Sequence, residues 1–187
     1  MSELLARGDC LVLVVDVQER LAPVIADGPM VIDRCRLLVE AARRLAVPVV
    51  ASEQYPRGLG ETVEALKKSL GNAPRLAKTA FSCARDPGIL EAVRTTGRRT
   101  VLLTGMEAHV CVLQSALGFR TEGFRVAVVA DAVGSRRPES RALALERMRA
   151  GGCDVVDVEM VLFEWLERAG TEEFRTIAPW IREGRPS

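Results

Sequence analysis

Short runs of β-branched and aliphatic residues alternate along the chain with longer segments whose apolar positions recur at helical spacing. The first run, LVLVV at 11–15, is apolar at every position, the pattern of a strand covered on both faces of a parallel sheet. Over 30–45, Val31, Leu37, Leu38, Ala41, Ala42 and Leu45 share one side of a helix while Arg34, Arg36, Arg43 and Arg44 point elsewhere. VPVVA at 47–51 reads as a second strand, with Pro48 tolerated near its start. ETVEALKKSL at 61–70 is a helix closed by Gly71, 75–79 a weak third strand, and 87–95 a helix opened by Pro87. The second half predicts strands at 100–104, 125–130 and 154–158, with helices at 108–118, 137–150 and 159–168. A final turn or two over 174–182 carries Trp180. This alternation predicts an α/β fold: a three-layer sandwich with a six-stranded parallel sheet, helices on both faces and right-handed crossovers. No linker, low-complexity tract or short repeat interrupts it, so residues 1–187 are read as one domain.

Composition changes the picture mainly by exclusion. A chain of 187 residues buries roughly 70% of its unfolded surface without staples. Lys and Arg number 26 against 25 Asp and Glu, which argues against a nucleic-acid partner or a trap for acidic substrates. No apolar run reaches the roughly 18 residues of a membrane span, and MSELLARGDC at 1–10 lacks the apolar stretch of a secretory signal. The five cysteines, at 10, 35, 83, 111 and 153, are odd in number and form no C-x-x-C pair. That usage suits reduced thiols rather than a disulfide framework or a zinc module, so a cytoplasmic protein without membrane contact is expected.

In an open parallel sheet, ligands sit outside the carboxyl ends of the strands, so the residues following each strand are the candidates. These are Asp16, Gln18 and Glu19 after the first strand; Ser52, Glu53, Gln54 and Tyr55 after the second; Lys78, Phe81 and Ser82 at the third. Gly105, Met106, Glu107, Ala108, His109 and Cys111 follow the fourth, and Asp131 and Ser135 the fifth. An acid, a cation and a thiol thus point to one edge. Taken singly, each has a bland reading: Asp16 as a loop cap, Lys78 as a solvated lysine, Cys111 as an inert buried thiol. Cys111 in the first turn of its helix would have its thiolate favoured by the helix field. The only histidine, His109, stands two residues away and faces another side of a helix, which leaves Asp16 as the base and Lys78 as the cation beside both. One histidine and no paired cysteines leave no zinc-type ligand set, and no G-x-G-x-x-G or P-loop motif occurs, so neither metal nor cofactor is expected. Residues 53–60 read as a kinked loop covering a pocket, in which Tyr55, Leu59 and Phe81 would line a small, partly apolar substrate.

The motifs VVDVQ at 14–18, EQYPRGLG at 53–60, KTAFS at 78–82, GMEAHVCVLQSAL at 105–117 and ADAVGSR at 130–136 together resemble the isochorismatase-like cysteine hydrolases, over about residues 8–168. EQYPxGLG and EAHVCV are most similar to the isochorismatase domain-containing branch. The resemblance implies the strand order 3-2-1-4-5-6 and a catalytic triad of Asp16, Lys78 and Cys111. It also implies a cis peptide bond between Met106 and Glu107 that aims backbone N–H groups at a developing oxyanion; Gln18, by its place after the first strand, is read as a substrate contact. Assembly as a homo-oligomer, a dimer or larger, is implied as well, with Phe163, Trp165 and Trp180 either at an interface or in the core. Nicotinamidases of the superfamily hold a metal through Asp-x-His, where this chain has Ser52, Glu53, Gln54 and Tyr55, so no metal-anchored pyridine is implied. Retention of Cys111 points to hydrolysis of a C–N bond in a small amide or carbamoyl compound through a thioester. Two alternatives stay open: a scaffold without turnover, and a redox-sensing thiol protein in which Cys83 resolves Cys111. Arg136, Arg137 and Arg141 are read either as anion contacts or as a solvated basic loop.

Overall fold

Every run expected to be a strand is one. The computed structural model describes residues 4–184. In it β1 (Cys10–Val15), β2 (Val49–Gln54), β3 (Arg75–Lys78), β4 (Thr100–Met106), β5 (Arg125–Gly134) and β6 (Asp154–Val156) form a parallel sheet in the order β3-β2-β1-β4-β5-β6. The helices are α1 (Gly28–Arg44), the single turn α2 (Pro56–Leu59), α3 (Glu64–Leu70), α4 (Pro87–Thr95), α5 (Leu113–Thr121), α6 (Pro138–Ala150), α7 (Val158–Leu166) and α8 (Glu172–Glu183). Successive side chains of β1 divide the core between the two faces. Val12 and Val14 pack with Leu37 and Leu38 of α1 and Trp165 of α7. Leu11, Leu13 and Val15 pack with Ile89 of α4 and Phe119 of α5. Burial on both faces is why this strand carries no polar residue until Asp16.

Three elements differ from their sequence patterns. The stretch expected to open as an α-helix at 108 is a π-helical turn, Ala108–Val112, followed by α5. Val112 N–H reaches back five residues to the Glu107 carbonyl at 3.2 Å, a wider turn that hydrophobic spacing does not reveal. β5 does not end at 130 but bulges: Leu103 partners Val128, whereas Gly105 partners Val133. Arg141 of α6 donates to the carbonyls of Ala130 (2.5 Å) and Val133 (2.9 Å), replacing ladder partners across the bulge. Asp131, expected at the ligand edge, is turned away by this bulge. It accepts the Val158 N–H at the start of α7 (2.9 Å) and pairs with Arg34 at 3.4 Å. The expected final turn or two is a full helix, α8, capped by Thr171 Oγ1 on Phe174 N–H (3.1 Å) and tolerating Pro179 inside it. Trp165 lies in the core and Trp180 packs against it, while Phe163 is half exposed.

Candidate active site

The strand order reverses between β1 and β4, and register alone gathers the polar residues there. Val15 lies opposite Ser52 on one side and Gly105 on the other, while Gln54 lies opposite Lys78. Asp16, one residue beyond the end of β1, takes a left-handed backbone with φ of 51°, a conformation that Asp tolerates better than most side chains. Gly105 sits at φ of 106°, and a Cβ there would stand 2.0 Å from the Val15 carbonyl oxygen. β4 therefore approaches β1 closely only because this position is glycine.

Asp16 and Lys78 form an ion pair whose side chains are wholly buried, with Nζ donating to Oδ2 at 2.7 Å. Nζ also donates to Gln54 Oε1 (2.6 Å) and to the Phe81 carbonyl (3.3 Å), so all three ammonium protons are engaged. Burial works against the charged lysine, but the Asp16 carboxylate, with the Cys83 and Cys111 sulfurs, outweighs it and raises the Lys78 pKa above its ordinary value. The other carboxylate oxygen, Oδ1, accepts from Ser52 Oγ at 2.7 Å, and Ser52 Oγ accepts in turn from the Cys83 thiol at 3.5 Å. Ser52 and Gln54, two of the candidates after the second strand, and Cys83 thus complete the buried network. Their pairing opposite Val15 and Lys78 in a parallel register gives Ser52 and Gln54 these roles.

Cys111, in the π turn, is near enough to Asp16 and Lys78 for both charges to act on its thiol. Burial above all, and then the Asp16 carboxylate, push its thiol far up, with Lys78 only partly opposing them. The expectation of a thiolate held by the helix field is therefore corrected: the resting group is a thiol. Cys83 is likewise pushed up to about 11, by burial first and Asp16 second.

The peptide bond between Met106 and Glu107 is cis. Glu107 Oε2 accepts from the backbone N–H and Nε of Arg136, both at 3.1 Å. His109 Nδ1 stands 2.9 Å from Ser135 Oγ and so turns away from Cys111. Among the residues expected at the substrate, Tyr55 and Phe81 are exposed and Leu59 is partly so. Gln18 is different. It is fully buried, accepts the Gln54 N–H at 2.8 Å and donates to the carbonyls of Gln54 (3.0 Å) and Gly60 (2.7 Å). Its amide pins β2 to the end of α2 and retains no donor for a substrate, which corrects the expectation of contact. Among the described residues no three His, Cys, Asp or Glu side chains gather as a metal-ion cage, and no helix is long and apolar enough to cross a membrane.

A family model described as the isochorismatase domain matches residues 10–160. The chain belongs to the isochorismatase family. Among its relatives, the secreted isochorismatase effector Isc1 of Phytophthora sojae (strain P6497) is 39% identical over 179 residues, covering 92% of this chain and 84% of that protein. Human isochorismatase domain-containing protein 2 is 36% identical over 180 residues, 96% and 86% of the two chains. Of solved isochorismatase-fold structures, MAR1 ribonuclease from Caenorhabditis elegans superposes with a TM-score of 0.91 at 33% identity, covering 99% of this chain and 95% of that one. YcaC from Pseudomonas aeruginosa, solved with hexane-2,5-diol and covalent acrylamide, gives 0.89 at 27% identity and 98% coverage of each chain. The YcaC gene product of Escherichia coli, described as an octameric hydrolase of unknown specificity, gives 0.85 at 26% identity, covering 90% and 84%.

Proposed function

We propose that the protein is a hydrolase that cleaves the C–N bond of a small amide or carbamoyl compound, without a metal or other cofactor, using Cys111 as nucleophile, Asp16 as base and Lys78 as the fixed cation. The observation that carries this reading is the buried ion pair of Asp16 with Lys78 at the switch point of the sheet, with both charges acting on the nearby Cys111 thiol. Because the thiol rests protonated, attack and proton transfer are coupled: as sulfur bonds to the carbonyl carbon, Asp16 takes its proton. Lys78, with all three protons already engaged, does not bind the substrate; it keeps Asp16 in place and offsets the charge of the thiolate as it forms. The backbone N–H groups of Glu107 and Cys111 stabilise the tetrahedral oxyanion, a contribution of about 10²–10³ in rate per donor. The intermediate collapses as Asp16 returns the proton to the departing nitrogen, releasing ammonia or an amine and leaving a thioester. Asp16 then accepts a proton from water, which adds to the thioester and releases the carboxylic acid and the Cys111 thiol.

Near-balanced charge supports a small molecule over nucleic acid as the substrate, and five free thiols support a reducing compartment, the cytoplasm. The octameric relative supports assembly as a homo-oligomer. The test is a panel of small amides, carbamoyl compounds and ureides assayed for ammonia release. At least one is expected to be turned over by the native protein and not by Cys111→Ala. Turnover that survives Cys111→Ala refutes the mechanism.

A further inference from the structure

A polar cavity of about 440 Å³ is lined by His109, Arg136, Arg137 and Ser140. His109 belongs to the same π turn as Cys111, which itself does not line the cavity, and Glu107, which anchors Arg136, precedes that turn. No carboxylate lines it. Glu107 fixes Arg136 from behind, through Nε and the backbone N–H, so the guanidinium is oriented while its two terminal nitrogens remain for a ligand. His109 is oriented too, by Nδ1 against Ser135, which leaves Nε2 free. Among the described residues Arg137 has no ion-pair partner, and two guanidinium charges against one carboxylate leave the wall net positive. Arg141 plays no part, since its guanidinium closes the β5 bulge.

We infer that this cavity is an anion subsite that takes the carboxylate or phosphate group of a small substrate. Forked donors from two guanidiniums and a hydroxyl, beside an imidazole, match an anion with two or three oxygens, whereas a neutral amide would leave the Arg137 charge unanswered. Anion binding stands on the cavity alone; that the anion is part of the molecule attacked by Cys111 rests on the proposed hydrolase reading.

His109 is the only histidine in the chain, so its ring resonances report on this cavity without assignment ambiguity. Succinate and inorganic phosphate are titrated separately into the intact protein at constant ionic strength, with neutral succinamide as control. One anion or both should shift the His109 signals saturably with a Kd below about 10 mM, and succinamide should not. Arg137 is exposed, so Arg137→Ala leaves the packing intact and should weaken binding about tenfold or more. Cys111→Ala should bind as the native protein does. Saturation by phosphate alone assigns a phosphorylated ligand, and by succinate alone a carboxylate. The absence of saturation by either anion, or binding unchanged in Arg137→Ala, overturns the inference. Anion binding with no ammonia release from any tested compound leaves the subsite standing and removes only the hydrolase link.

Discussion

Lys78→Met removes the ammonium while keeping most of the side-chain volume. It leaves the Asp16 carboxylate buried with one hydrogen bond, from Ser52, and strips Gln54 Oε1 and the Phe81 carbonyl of their donor. Breaking a fully buried pair in this way costs about 3–5 kcal/mol, because the remaining charge has neither water nor partner. For a chain of this size that corresponds to a fall in Tm of about 6–20 °C. Asp16→Asn should cost a similar amount. The double variant should lose at least about 2 kcal/mol less than the sum of the two single losses, since neither half is then left uncompensated. Urea unfolding followed by the fluorescence of Trp165 and Trp180 measures all four corners, with constant m as the check on two-state behaviour. The Lys78 pKa is raised in the fold, so its contribution is complete below the ordinary lysine range and is lost only as pH rises through the raised value. The penalty should therefore be the same at about pH 7 and about pH 9. A loss below about 1 kcal/mol for Lys78→Met, or strict additivity in the double variant, would refute the reasoning.

Gly105→Ala places a methyl group against the Val15 carbonyl at a positive φ, so strain and overpacking together should cost about 2–5 kcal/mol, read as a drop in the urea midpoint. Alkaline stability should fall early, because burial raises Cys10, Cys83 and Cys153 to about 11 and Cys35 to about 12. Unfolded thiols ionise near pH 9, so between that point and the folded values stability declines as pH rises, by about 1.4 kcal/mol per pH unit for each thiol. Cys35→Ala should flatten the decline by one such increment, and an unchanged slope between about pH 9 and about pH 10.5 would contradict this.

The strands were legible because a sheet covered on both faces writes itself as uninterrupted apolar runs, and LVLVV is the plainest case. Asp16, Lys78 and Cys111 could be singled out for a related reason: each is a polar residue at or beyond such a run, where the fold exposes strand ends to ligand. The partners that make them a network were less visible. Ser52 and Gln54 acquire their roles from register across three strands, which no local pattern records. The π turn at Ala108–Val112 is closed by the backbone carbonyl of Glu107 and the β5 bulge by Arg141 of the next helix, so periodicity passes over both. Gln18 looked like a substrate contact because it stands beside Asp16, yet its amide is saturated by backbone. Burial and Asp16 push the Cys111 thiol up, opposite to the direction expected from the helix field, because neither is visible in the local pattern around the cysteine.

The claim on which the rest depends is that Asp16 activates Cys111, and acrylamide, an electrophile already seen covalently bound in a P. aeruginosa relative, probes it directly. The intact protein is incubated with acrylamide near neutral pH, and the adduct is mapped by peptide mass spectrometry over time. A single adduct on Cys111 is expected, absent in Cys111→Ala and formed at least about tenfold more slowly in Asp16→Asn, as loss of a general base requires. Labelling spread evenly over the five thiols, or a Cys111 rate indifferent to Asp16→Asn, would contradict the account.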